Sequence, residues 1–253
     1  MLNQIAVRDL RATLKLFGAI SIVLSLTACV TTPEAREEQD AIYEPANAHI
    51  ELALSYVASR EFPAALEQLE KSTNLAAVNP ELDHAYGIYY QKTGDIDKAE
   101  VSFRAAVRKD PTNPQYNNNY GVLLSQTGQY KEALKRFSVA YSNEEYSNRA
   151  SAYENYADIK VQQGDHALAL ENYEKALSLN PRWFLLEVKM ANSLYNRGDF
   201  ASAYTRFDNY MNRVNELNIR PSNQDIELGL AIAAAVKDYD KVDEYQKILE
   251  QGN

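Results

Sequence analysis

The chain has 253 residues, 24% of them charged, with a formal net charge of −9, one cysteine and three histidines. That balance argues against nucleic acid as a partner and against a basic patch holding anionic lipid headgroups. A lone cysteine leaves no internal disulfide framework. The N-terminus sets Arg8, Arg11 and Lys15 before an apolar run from Leu16 to Leu26, followed by Thr27-Ala28-Cys29. A permanent membrane-spanning helix needs about 20 residues, so the shorter run reads as an export signal over residues 1–28, expected to be removed. Its loss takes the net charge to near −11. Residues 29–44 are polar, lack apolar periodicity and contain Pro33, and so read as a flexible tether.

Residues 45–253 carry a metre. Ala65, Ala99, Ala133, Ala169 and Ala203 are separated by 34, 34, 36 and 34 residues, the period of a stacked helix-turn-helix repeat. Ala53, Gly87, Gly121, Ala157 and Ala191 lie twelve before these alanines, and Gly94, Gly128, Gly164 and Gly198 lie five before. Leu69, Phe103, Phe137, Tyr173 and Phe207 follow four after, one helical turn along the same face. Small residues therefore mark close helix crossings, and bulky ones fill the gaps beside them. The fold predicted is all-α, a superhelical solenoid of about six repeats.

The first helix pair is predicted from about Pro45 to Asn79, the second from Pro80 to Lys109 and the third from Pro114 to Tyr141. Glycine at the four marked positions supplies the left-handed conformation that closes each first helix. The 36-residue interval contains the polar stretch Ser142–Asn148, which predicts a longer loop between the third and fourth repeats. Pro221 to Asn253 keeps helical spacing without a turn glycine and reads as a degenerate closing repeat with a polar outer face.

No catalytic constellation accompanies His49, His84 and His166: there is no H-E-x-x-H, G-x-S-x-G, P-loop or C-x-x-C. His166 falls on the post-turn position held elsewhere by Phe62, Tyr130 and Phe200, which is a packing position. The 18 tyrosines fall largely on repeat core positions and read as structural. A binding scaffold without metal or catalytic residues is the expectation. In such an array the first helices line a concave groove. The alanine register places Ile50, Leu54 and Val57 on its first-repeat face, joined by Ile88, as an apolar stripe for a partner helix. The other reading of Ile50 and Leu54 is plain core. Further along, Asn118, Val122, Asn155, Asp158 and Asn192 make the groove more polar; Asn118 and Asn155 are candidates to pair with a bound backbone, or else are solvated.

The pairs Tyr86-Gly87 and Tyr120-Gly121 and the segments Ala99-x3-Phe103-x2-Ala106 and Ala133-x3-Phe137-x2-Ala140 resemble the tetratricopeptide repeat. Leu26-Thr27-Ala28-Cys29 resembles the bacterial lipobox, which implies a covalent lipid on Cys29 and no other cofactor. Val30, in place of the aspartate that usually retains lipoproteins at the inner membrane, implies an outer-membrane, periplasm-facing position. Together with Asn117-Asn118-Asn119-Tyr120-Gly121, the chain length and the layout of repeats, these features resemble the type IV pilus biogenesis lipoproteins that act as pilotins for the outer-membrane secretin. The resemblance implies a noncatalytic, monomeric assembly factor that binds secretin subunits through its groove. The alternative is a periplasmic lipoprotein adaptor for peptidoglycan enzymes or outer-membrane protein assembly; a helical-repeat glycan hydrolase is a remote third.

Overall fold

The computed structural model describes residues 33–250, with side chains from residue 43 onward. The export signal, Cys29 and Val30 lie outside the described residues. From Ala46 onward the described residues form one compact unit. The chain pairs its helices as α1 (Pro33–Ala58) with α2 (Phe62–Ala76), α3 (Pro80–Thr93) with α4 (Ile96–Lys109), and α5 (Pro114–Gln126) with α6 (Tyr130–Ser142). The second half continues with α7 (Arg149–Gln162) and α8 (His166–Leu179), α9 (Leu185–Asn196) and α10 (Phe200–Glu216), and α11 (Asn223–Val236) and α12 (Tyr239–Glu250). The six pairs are the predicted six repeats. One expectation is corrected: residues 33–44 belong to α1 and are not an irregular tether. Glu, Ala, Gln and Arg dominate that stretch, all good helix formers, and proline is tolerated at the first helical position where Pro33 stands. Polarity without an apolar face had concealed the helix.

The turns follow the metre. Gly94, Gly128, Gly164 and Gly198 all have positive φ, between 75° and 87°. Arg60 (φ 62°) and Lys237 (φ 63°) take the same conformation where the first and sixth repeats lack the glycine. Asp95, Asp165 and Asp199 follow three of the glycines, and each carboxylate accepts a backbone N–H of the first turn of α4, α8 or α10. Asn79 and Asn113 cap α3 and α5 in the same way, each with proline directly after it. The loop after α6 spans six residues, 143–148, no longer than the 217–222 loop after α10, so the expected single longest loop is not seen; Tyr141 in the last turn of α6 stacks on Tyr153 of α7 at 4.3 Å and 9°.

The packing rule read from the sequence holds. All five marker alanines are fully buried, and the bulky partners one turn on are at most 3% exposed. A Cβ on Gly87 would lie 2.5 Å from Phe103 Cδ1, and one on Gly121 2.7 Å from Phe137 Cε1. The rings of α4 and α6 thus rest directly on the backbones of α3 and α5. Ala133→Leu is accordingly expected to overpack this crossing and lose about 1–3 kcal/mol. Ala201→Leu, an exposed site on α10, serves as the control and should stay within about 0.5 kcal/mol. Equal denaturation midpoints for the two variants would contradict the packing register.

Candidate functional site: the inner wall of first helices

Successive first helices approach one another, α3 against α5, α5 against α7 and α9 against α11, so they form one wall of the array. Side chains tie this wall together at a spacing of 35 residues. Between α3 and α5, the Tyr116 hydroxyl donates to Glu81 Oε2 at 2.8 Å, Asn119 Nδ2 donates to His84 Nε2 at 2.9 Å, and Gln91 Nε2 donates to Gln126 Oε1 at 2.8 Å. Because the Asn119 amide nitrogen can only donate, His84 accepts at Nε2 and carries its proton on Nδ1, which faces Glu81 Oε1 at 3.3 Å. His84 is fully buried between the Phe103 and Tyr116 rings. Burial acts to raise the Glu81 pKa, but the hydrogen bond and electrostatic attraction of His84, with the hydrogen bond from Tyr116, outweigh it and hold the carboxyl below its ordinary value. Ile88 and Val122 sit between these ties, half-buried.

A second tied junction joins α7 and α9. Lys189 Nζ donates to Glu154 Oε1 at 2.8 Å and to Asp158 Oδ1 and Oδ2 at 2.9 and 2.8 Å. From behind, the Tyr173 hydroxyl donates to Asp158 Oδ1 at 2.5 Å. Burial works to lower the Lys189 pKa; the Asp158 charge and the hydrogen bonds to both carboxylates overcome it and leave the ammonium above its ordinary value. No side-chain hydrogen bond among the described residues crosses from α5 to α7.

Tyrosine–carboxylate pairs recur elsewhere: Tyr204 to Asp238 at 2.6 Å and Tyr210 to Asp225 at 2.9 Å. The hydroxyl of a packed ring finds its acceptor on a neighbouring helix or, for Tyr204, in the turn before α12, which is why so many repeat core positions tolerate tyrosine. The structural reading of the tyrosines is thus the one the packing supports.

The apolar stripe expected in the groove divides on inspection. Ile50 and Val57 are 1% and 5% exposed and pack with Leu69, Leu82 and Ala85 in the core of the first two repeats. They are not an open surface. α1 is flanked by both α2 and α3, and these positions face the interhelical gap, so a helical turn that looked free from its own repeat is covered by the next. Leu54 and Ile88 remain half-buried at the wall, and Val122 stands in register with them. Asn118 is 4% exposed, with no partner on its Oδ1, and is no solvated groove residue either. Asn155 on α7 and Asn192 on α9 are half-buried. Glu154 and Lys189 were missed. Their signal was present in the sequence as opposite charges 35 residues apart, one repeat offset by a residue.

His166 opens α8, half-buried. Among the described residues no group of three or more His, Cys, Asp or Glu side chains is placed to hold a metal ion, and no helix is long and apolar enough to cross a membrane.

Comparison with known proteins agrees with this architecture. Tetratricopeptide-repeat models match residues 84–113 and 115–182. The type IV pilus assembly protein PilF of Pseudomonas aeruginosa is 25% identical over 226 residues, 88% of each chain. The solved structure of Pseudomonas aeruginosa PilF superposes with a TM-score of 0.75 at 25% identity, covering 83% of this chain and 93% of that one. PilW, a type IV pilus biogenesis factor, gives a TM-score of 0.71 at 25% identity, covering 81% and 92%. MamA, at 18% identity and a TM-score of 0.59, shares the fold.

Proposed function

We propose that this chain, a tetratricopeptide-repeat protein homologous to the type IV pilus proteins PilF and PilW, is a lipid-anchored pilotin. In this reading it is a noncatalytic assembly factor of the outer membrane that binds secretin subunits along its inner wall. The observation that carries the proposal is the likeness to two pilus biogenesis factors over more than nine tenths of their solved chains. MamA is covered to 93% as well but spans only 68% of this chain at a TM-score of 0.59, whereas PilF and PilW span 83% and 81% of it at 0.75 and 0.71, so the likeness to the pilus proteins extends beyond shared repeats. The wall supports it physically. The polar side chains that join α3 to α5 are spent on one another, which leaves Leu54, Ile88 and Val122 as the apolar area a partner can remove from water.

The anchor in this proposal is an acyl chain on Cys29. With a chain this acidic, attraction to anionic headgroups cannot substitute for it. Deleting the gene is expected to abolish assembled secretin multimers while leaving monomers, and the parent gene should restore them. Cys29→Ser should fail to incorporate a labelled fatty acid, because a hydroxyl does not form the thioether, and should leave the membrane fraction. Multimers that persist in the deletion strain would refute the pilotin reading. Label retained on the serine variant would refute the anchor.

A further inference from the structure

The positions eleven residues before the packing alanines run Leu54, Ile88, Val122, Asp158 and Asn192. The line is apolar for three repeats and then turns acidic. The positions four residues earlier repeat the change: His84 and Asn118 are buried, and Glu154 follows. α5, at the middle of the wall, contains no charged residue at all. The first half of the wall is therefore mainly apolar, with Glu81 as a carboxylate whose two oxygens are both engaged, and the carboxylate cluster of the fourth repeat forms its acidic end.

In that cluster one ammonium faces two carboxylates. The bonds from Lys189 Nζ go to Glu154 Oε1 and to both oxygens of Asp158, so Glu154 Oε2 engages nothing among the described residues. The three side chains are 24%, 39% and 35% exposed for Glu154, Asp158 and Lys189, open enough for a ligand to reach. A carboxylate has about four acceptor sites, so unused capacity remains on a cluster of net charge −1. A second cation can therefore bind without displacing Lys189. An anion would meet like charge in a partly desolvated setting. The carboxylate of the α3–α5 junction is different: Glu81 already takes His84 and Tyr116, one on each oxygen.

We infer that the segment received by the inner wall is amphipathic and basic, laying apolar side chains on Leu54, Ile88 and Val122 and an arginine or lysine on Glu154 and Asp158. This rests on the wall being the binding face in the function proposed above, and it adds the chemistry of what binds. The apolar half supplies non-directional affinity, and the charged end fixes orientation along the array.

The test uses two synthetic peptides with leucines at the same helical spacing, one with a pair of arginines at one end and the other with glutamines there. Fluorescence anisotropy at low ionic strength should show the arginine peptide binding about tenfold more tightly, the scale of one charge-assisted hydrogen bond. Glu154→Gln keeps the Lys189–Asp158 pair, should leave the melting temperature near that of the parent, and should bring the two peptides close to parity. Glu171→Gln changes the overall charge equally on the outer face of α8, where Glu171 pairs with Lys175, and should keep the preference. Ile88→Gln should weaken both peptides together. The inference is overturned if neither peptide binds, if the parent shows no preference, if Glu154→Gln retains it, if Glu171→Gln loses as much, or if Ile88→Gln has no effect. Secretin multimers are read separately. Multimers restored by Glu154→Gln with peptide parity would leave the pilotin role intact, and multimers unaffected by gene deletion would remove that role whatever the peptides do.

Discussion

Phe137→Ala is expected to lower stability by about 3–5 kcal/mol, the range for removing a fully buried aromatic ring. Phe137 has no exposed surface, and its ring occupies the space where any residue larger than glycine at 121 would place a Cβ. The cavity cannot close easily, because the two helices that border it are held at both ends. Gly128 and Gln129 lock the turn on one side, and the Asn113 cap and α6–α7 stacking through Tyr141 hold the other. Gly121→Ala in the parent should also destabilise, since its Cβ meets the ring at 2.7 Å; combined with Phe137→Leu, the added methyl enters space the smaller side chain vacates. The double variant should therefore lose less than the sum of its single changes, a coupling expected only for residues in contact. Chemical denaturation, with hydrogen exchange across α5 and α6, measures both. A loss below about 1 kcal/mol for Phe137→Ala would mean the third repeat is not organised around this ring.

The same contact shows why the fold was legible and the wall less so. Gly121 and Phe137 carry information because backbone approach and ring volume are set within one repeat, and a period of 34 displays that repeat several times. The turn glycines are equally local, and where glycine is missing Arg60 and Lys237 accept positive φ because the two helices on either side enforce it. Exposure is a property of the neighbouring repeat. Ile50 and Val57 have the spacing of an open apolar stripe, yet α3 covers them; nothing within the first repeat reports this. Asn118 was misplaced for the same reason. The Glu154–Lys189 junction could have been found by comparing charges one repeat apart and allowing a shift of one residue for the angle between successive helices. The helix over residues 33–44 was hidden by its lack of an apolar face, since periodicity reports burial more directly than backbone conformation.

Tyrosine burial sets the second large effect, a cooperative alkaline unfolding. Tyr116, Tyr173, Tyr210 and Tyr245 are 4%, 2%, 2% and 3% exposed, and all four are pushed well above the ordinary tyrosine range. Burial is the largest cause in each, reinforced by the charge of Glu81 at Tyr116, of Asp158 at Tyr173 and of Glu244 at Tyr245, and by the hydrogen bond to Asp225 at Tyr210. Tyr204, more open, is pushed up to about 12 by its hydrogen bond to Asp238. In the unfolded chain these groups ionise near pH 10. The folded pKa is the higher one, so the stability these hydroxyls contribute is complete below pH 10 and is lost as pH rises beyond it. Each buried tyrosine then removes about 1.4 kcal/mol per pH unit, and four together about 5. A domain stable by about 5–15 kcal/mol should therefore unfold within roughly one to three units above pH 10. Tyrosinate absorbance and far-ultraviolet circular dichroism should change together and steeply. Tyr173→Phe should make the transition shallower by about one proton, at a neutral-pH cost of about 1 kcal/mol, because Asp158 loses one donor but keeps Lys189. Gradual ionisation of all the tyrosines around pH 10 with the helical signal unchanged would show that the rings are reachable by water in the folded array, and that their hydroxyls do not hold it together.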